Sequence, residues 1–160
     1  MNSVNLDRLR DFLIKANMPH ATGTADIKKE GDGSRTISFS DGDYRMDDNF
    51  FGGEPYGGRL VIFHKEKPIF IEVYYGWVHN TERPVDEVYD FLREALQYPD
   101  ESMPYRGPAE YTKGSLTYRC SVNGDMANHY LEESIFEGDT KIYSGIVIGG
   151  LVDQNARDAM

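Results

Sequence analysis

Leu60-Val61-Ile62-Phe63, then His64-Lys65-Glu66-Lys67-Pro68, then Ile69-Phe70-Ile71-Glu72-Val73-Tyr74-Tyr75 is the stretch on which the fold turns. Two runs of β-branched and aromatic residues flank a short polar link, and a link of that length and composition predicts an antiparallel hairpin. Upstream, Thr24 to Met46 alternates around Ile27, Ile37, Phe39 and Tyr44, with Gly31-Asp32-Gly33 and Asp41-Gly42 as turn signals, so short antiparallel strands are expected there. Downstream, strands are expected from Ser115 to Val122, Tyr130 to Phe136 and Lys141 to Val152, separated by Asn123-Gly124-Asp125 and Glu137-Gly138-Asp139.

Two segments break the strand pattern. From Val4 to Asn17, Leu6, Leu9, Phe12, Leu13 and Ala16 recur at helical spacing; Ser3 or Asn5 is placed to cap this helix and Pro19 to stop it. From Arg83 to Gln97, Val85, Val88, Leu92, Ala95 and Leu96 form a second apolar stripe behind Pro84, a residue suited to a first helical turn. A connector rich in Pro, Gly and Tyr then runs from Tyr98 to Lys113.

The strand segments resemble one another. Tyr44-Arg45 recurs as Tyr118-Arg119, Ile62-Phe63 as Ile135-Phe136, Ile69-Phe70 as Ile142-Tyr143 and Gly76-Trp77-Val78 as Gly150-Leu151-Val152, at an offset of 73 to 74 positions. A constant offset across strand, turn and strand suggests a duplicated β-meander with a helix before each copy. The expected fold class is therefore α+β, a curved antiparallel sheet with two packed helices. A single domain is expected over residues 1–152, with halves near 1–80 and 81–152, and a frayed tail over 153–160.

Composition removes several classes of function. A formal net charge of -10 repels phosphate backbones, so no nucleic-acid partner is expected. No apolar run reaches the ~20 residues of a membrane helix, and no membrane association is expected. A lone Cys120 allows no intrachain disulfide, which suits a cytoplasmic location. The four histidines, His20, His64, His79 and His129, lack metal-ligand spacing, and Asp41, Asp43, Asp47 and Asp48 do not follow the calcium-loop template, so no metal is expected. Signatures for a nucleophile elbow, a phosphate-gripping loop or a dinucleotide fold are absent, and no cofactor is expected.

Two stretches stand out. Phe50-Phe51-Gly52-Gly53-Glu54-Pro55-Tyr56-Gly57-Gly58 reads either as a sharp corner in a strand or as a flexible lip over a pocket. In Tyr105-Arg106-Gly107-Pro108-Ala109-Glu110-Tyr111, Arg106 either pins the connector to an internal acid or faces an anionic ligand.

Asp48-x-Phe50-x-Gly52-Gly53-x-x-Tyr56-x-Gly58, the hairpin ending Tyr75-Gly76, and Pro104-x-Arg106-Gly107-Pro108-x-x-Tyr111-x-x-Gly114 together resemble an uncharacterised bacterial and archaeal domain family. Its members occur alone or C-terminal to helix-turn-helix domains of the XRE type. The resemblance runs from about Tyr44 to Val152, with departures at Arg59, Phe70 and Glu72. It implies an architecture and a sensing or regulatory context, without a mechanism.

The function expected is a non-enzymatic domain that binds a small molecule. Asp48, Tyr56, Tyr75, Trp77, Arg106 and Tyr111 are the candidate site, with Arg106 on an anionic group, the aromatic rings stacking and Asp48 accepting a hydrogen bond. The alternatives are an acidic protein-interaction or inhibitor module, with a protein partner or a homodimer, and an enzyme built on Glu54, Glu132 or Glu133 with a tyrosine or Arg106.

Overall fold

The computed structural model describes residues 4–154. The candidate cap Ser3 and residues 155–160 of the expected tail lie outside them. The chain forms α1 (Leu6–Thr22), β1 (Ile27–Lys29), β2 (Arg35–Asp41), β3 (Tyr44–Gly52), β4 (Tyr56–His64), β5 (Lys67–Val78), α2 (Val85–Ala95), β6 (Glu110–Lys113), β7 (Leu116–Gly124), β8 (Asn128–Glu137) and β9 (Thr140–Leu151).

Local chemistry accounts for the helix boundaries. The Asn5 side chain accepts from the Arg8 N–H and caps α1. Pro19 does not stop α1 as expected but lies inside it. Proline forfeits only its own N–H; its carbonyl still accepts from the N–H groups of Thr24 and Ala25. The stop is Gly23, whose φ of 72° turns the chain out of the helix. Val88, Phe91, Leu92 and Ala95 form the buried stripe of α2, while Val85 stands partly exposed at its start.

All nine strands form one antiparallel sheet in the order β1-β2-β3-β4-β5-β9-β8-β7-β6. The molecule is thus a mixed α+β fold dominated by sheet. The hairpin between β4 and β5 turns through Lys65 and Glu66, both at positive φ, the geometry that matches the twist of paired strands. The register slips at two places in these hairpins, between Ile62 and Phe63 and, 73 positions later, between Ile135 and Phe136. The match of Tyr44 to Tyr118 is offset in space: Met46 stands opposite Ile62 where Tyr118 stands opposite Ile135.

Alternation assigns the two faces of the sheet. Ile37, Met46, Leu60, Ile62 and Phe70 face α1, where they pack against Leu9, Phe12, Leu13 and Ala16. Leu116, Tyr118, Ile135, Ile142 and Tyr143 pack against the α2 stripe. The opposite face carries exposed Val73, Tyr75, Ile146 and Ile148. Two separate core clusters on one face leave room between the helices, and the candidate site lies there.

Candidate functional site between the helices and the sheet

Glycines on the inner face let long side chains cross from one strand to the next. Asp48, Leu60, Glu72, Gly149 and His129 are consecutive partners across β3, β4, β5, β9 and β8. With no side chain on Gly149, Glu72 and His129 meet over it: Nε2 of His129 lies 3.1 Å from the Glu72 carboxylate. A Cβ on Gly149 would stand 2.8 Å from Cγ of Glu72. Since the carboxylate accepts, Nε2 carries the proton. The imidazole is fully buried between Tyr105 and Phe70, both stacked on it, and its Nδ1 has no partner.

Gly58 serves Tyr74 in the same way. Phe50, Gly58 and Tyr74 are consecutive partners, and the Tyr74 hydroxyl reaches over Gly58 to donate to Oδ1 of Asp48. Desolvation pushes the Asp48 carboxyl up to about 6, aided by the charge of Glu72; the Tyr74 hydroxyl and the Arg106 charge oppose it. The same burial, together with the Asp48 charge, raises the Tyr74 phenol far above its ordinary value.

A third crossing lies over the paired glycines Gly76 and Gly145. The Tyr56 and Tyr143 hydroxyls bond to each other there, and Tyr143 also donates to Glu133 at 3.0 Å. Glu133 accepts from Tyr118 at 2.8 Å and from Nη2 and Nε of Arg106 at 2.7 and 3.1 Å. Burial pushes the Glu133 carboxyl up, but Arg106 and the two tyrosine hydroxyls outweigh it and hold the carboxyl below its ordinary value. Tyr118 in turn accepts from the N–H of Gly107, which ties the Arg-Gly-Pro segment to the sheet.

Above these groups, between α1, α2 and the sheet, is a cavity of about 510 Å³. That volume suits a small organic ligand. Asp48 and Glu72 form the acidic part of its floor, with Tyr56, Tyr74, Tyr89 and Phe50 as aromatic lining. Glu54 and Asp86 add negative charge at the wall; of the lining arginines, Arg106 is engaged by Glu133 and Arg93 by Asp90, while Arg35 stacks over Phe50. Among the described residues, no protein donor reaches Oδ2 of Asp48 or Oε2 of Glu72. No group of three His, Cys, Asp or Glu side chains among the described residues is placed to hold a metal ion.

Residues 48–152 match the family model described as a domain of unknown function, DUF5680. The chain belongs to the DUF5680 family. The matched span begins at Asp48 and includes α2 and the sheet floor of the cavity except for Ile27 of β1 and Arg35 of β2. Comparison with curated proteins and with solved structures finds no match.

Three of the six predicted site residues of this DUF5680 domain, Asp48, Tyr56 and Arg106, line the cavity. Tyr75 and Trp77 project from the other face of the sheet, in an aromatic row with His79. Tyr111 sits on the edge strand β6, stacked on Tyr98 and bonded to Glu94. Arg106 pairs with an internal acid, the first of the two roles considered for it. The three carboxylates considered for an enzyme are dispersed: Glu54 accepts from Tyr89 at the cavity wall, Glu133 is buried under Arg106, and Glu132 bonds Tyr130 on the outer face.

The sequence reasoning passed over Glu72 and Tyr74. A signal was present, because alternation along Ile69 to Tyr75 puts both on the same face as Phe70. An acid at an inward strand position is rare enough to mark a site. The Gly-rich stretch holds both readings at once: Gly52, at φ 77°, turns the chain between β3 and β4, and Gly52 and Gly53 also border the cavity.

Proposed function

We propose that this domain binds a small organic molecule in the cavity between its two helices and its sheet, and acts as a non-enzymatic binding or sensing module. One observation carries the reading: two carboxylates, Asp48 and Glu72, each keep an oxygen free of protein donors where they meet a cavity lined with tyrosine rings. Neither oxygen is among the buried side-chain atoms that lack a partner, so each is open to the cavity as an acceptor for a ligand donor. The resemblance to domains carried behind helix-turn-helix modules supports a sensing role. A thermal-shift screen against a metabolite library tests the binding reading, with Val85→Trp as the control that fills the cavity rim. Compounds that stabilise the wild type and not the variant support it; an absence of any stabilising compound contradicts it.

A second reading, an acidic protein-interaction or inhibitor module or a homodimer, is favoured by exposed Val73, Tyr75, Ile146 and Ile148 in the two central strands. Partner capture that falls steeply with salt supports the acidic module, and sedimentation tests the dimer. The internal duplication is also kept as a proposal. It is supported by the bulges at Ile62/Phe63 and Ile135/Phe136 and by the exchange of Val73–Ile148 and Tyr75–Ile146 pairs under the same 73-residue offset.

A further inference from the structure

We propose that the ligand of this cavity is an organic cation, an amine whose ammonium lies at Asp48 and Glu72 and whose carbon body lies against the tyrosine rings. The inference rests on the small-molecule reading above and names its chemical class.

The first argument is charge. Asp48 and Glu72 stand two strands apart with Leu60 between them, roughly 10 Å apart at the backbone. Among the described residues, no cation forms an ion pair with Asp48, and His129 is the one side chain bonded to Glu72. Arg106 is committed elsewhere, since Glu133 takes two of its guanidinium donors. An anionic ligand at Asp48 and Glu72 would therefore add charge beside two carboxylates; the one lining arginine without an acid partner among the described residues, Arg35, lies on β2 over Phe50 and bonds the Gly52 carbonyl. A cation would find two acceptors in a desolvated setting, where charge-assisted hydrogen bonds are strong.

The second argument is the walls. The Tyr56 ring packs against those of Tyr74 and Tyr89, at 6.0 and 5.8 Å between centroids, on the side of the cavity that holds Asp48. Aromatic faces attract an ammonium and accept its apolar body, whereas they repel a carboxylate. The hydroxyls of Tyr74 and Tyr89 are turned to Asp48 and Glu54, so the rings and not the hydroxyls are left for a guest.

The third is protonation. A cation in the cavity favours the ionised form of Asp48, whose carboxyl the empty site holds partly protonated near pH 6. Binding is then coupled to proton release, and acid competes with the ligand for Asp48. The charged and titratable groups around it are Tyr74, Glu72 and Arg35 from the sheet, Glu54 from the β3–β4 turn, Arg106 from the connector, and across the cavity His20 of α1 and Asp86 and Arg93 of α2.

The test is a matched series that keeps the body and changes the charge: tyramine, tyrosol and para-hydroxyphenylacetate, and separately cadaverine against glutarate, by isothermal titration. Tyramine and cadaverine are expected to bind at least roughly tenfold tighter than their neutral and anionic counterparts, with Asp48→Asn and Glu72→Gln each losing roughly tenfold. For the wild type alone, tyramine affinity is expected to fall as pH is lowered from about 7 to about 5, which needs no variant to fold. Preferential binding of the anions overturns the cation class and leaves the small-molecule reading standing. Equal affinities across charge, or a flat pH profile, also overturn it. If no member of either series binds, the cation inference falls, while the metabolite screen decides the broader reading separately.

Discussion

Arg106 and Glu133 are joined by two hydrogen bonds on the inner face of the sheet, and Glu133, with its side chain 1% exposed, takes two further bonds from Tyr118 and Tyr143. The long connector after α2 is thereby fixed to β8. Removing one partner strands the other's charge in the interior. Arg106→Ala is expected to lower unfolding stability by about 3 to 5 kcal/mol in urea denaturation. Arg106→Met combined with Glu133→Gln is expected to recover part of that loss, since the amide oxygen still accepts from one of the two tyrosines, its N–H faces the hydroxyl oxygen of the other, and no charge is left bare. Equal stability of the single and the double variant would contradict the account.

Asp48 and Glu133 give stability opposite pH dependences. The folded carboxyl of Asp48 lies near 6, above its unfolded value, so the folded state binds the extra proton and stability falls as pH rises from about 4 to about 6. Glu133 is held below its ordinary value, so its contribution is present above that value and is lost as pH falls beneath it. Asp48→Asn is expected to remove the decline between about pH 4 and pH 6, of order 3 kcal/mol, and to leave the acid limb in place. Unfolding measured at several pH values checks both.

The crossings predict which glycines tolerate a methyl group. A Cβ on Gly76 would stand 2.6 Å from the Tyr56 ring and 2.7 Å from the Tyr143 hydroxyl, whereas one on Gly31 meets nothing within 4 Å. Gly76→Ala is expected to cost about 1 to 3 kcal/mol and to displace Tyr56 from the cavity wall. Gly31→Ala is expected to stay within about 0.5 kcal/mol of the wild type.

Cys120 is a test of the interior at β7. Burial, with the charge of Glu133, pushes its thiol up to about 11, so little thiolate forms at neutral pH. Alkylation by iodoacetamide is expected to be slow in the native protein and fast in denaturant; fast native labelling would contradict the placement.

The β4–β5 hairpin and α2 were legible because alternation and apolar spacing are local properties, and each survives tertiary packing unchanged. The end of α1 is not legible from Pro19, because its carbonyl still accepts from Thr24 and Ala25 and the helix runs on to Gly23. The site was harder. Asp48 and Arg106 stand out as polar residues in Gly-rich and aromatic company, but aromatic character alone does not place Tyr75 and Trp77, which lie on the outer face of β5. Counting by two from Phe70 places Glu72 and Tyr74 inside and Tyr75 outside. The His129–Glu72 contact spans 57 positions and depends on Gly149 between them, a relation that appears only once β5, β9 and β8 are adjacent.

The central claim is that the cavity holds a small molecule, and native mass spectrometry of the protein purified from its own host tests it most directly. The account predicts a discrete added mass on the wild type that is lost in Val85→Trp, with Gly31→Ala retaining it. Wild-type protein that arrives without added mass, or an added mass that persists in Val85→Trp, would contradict it.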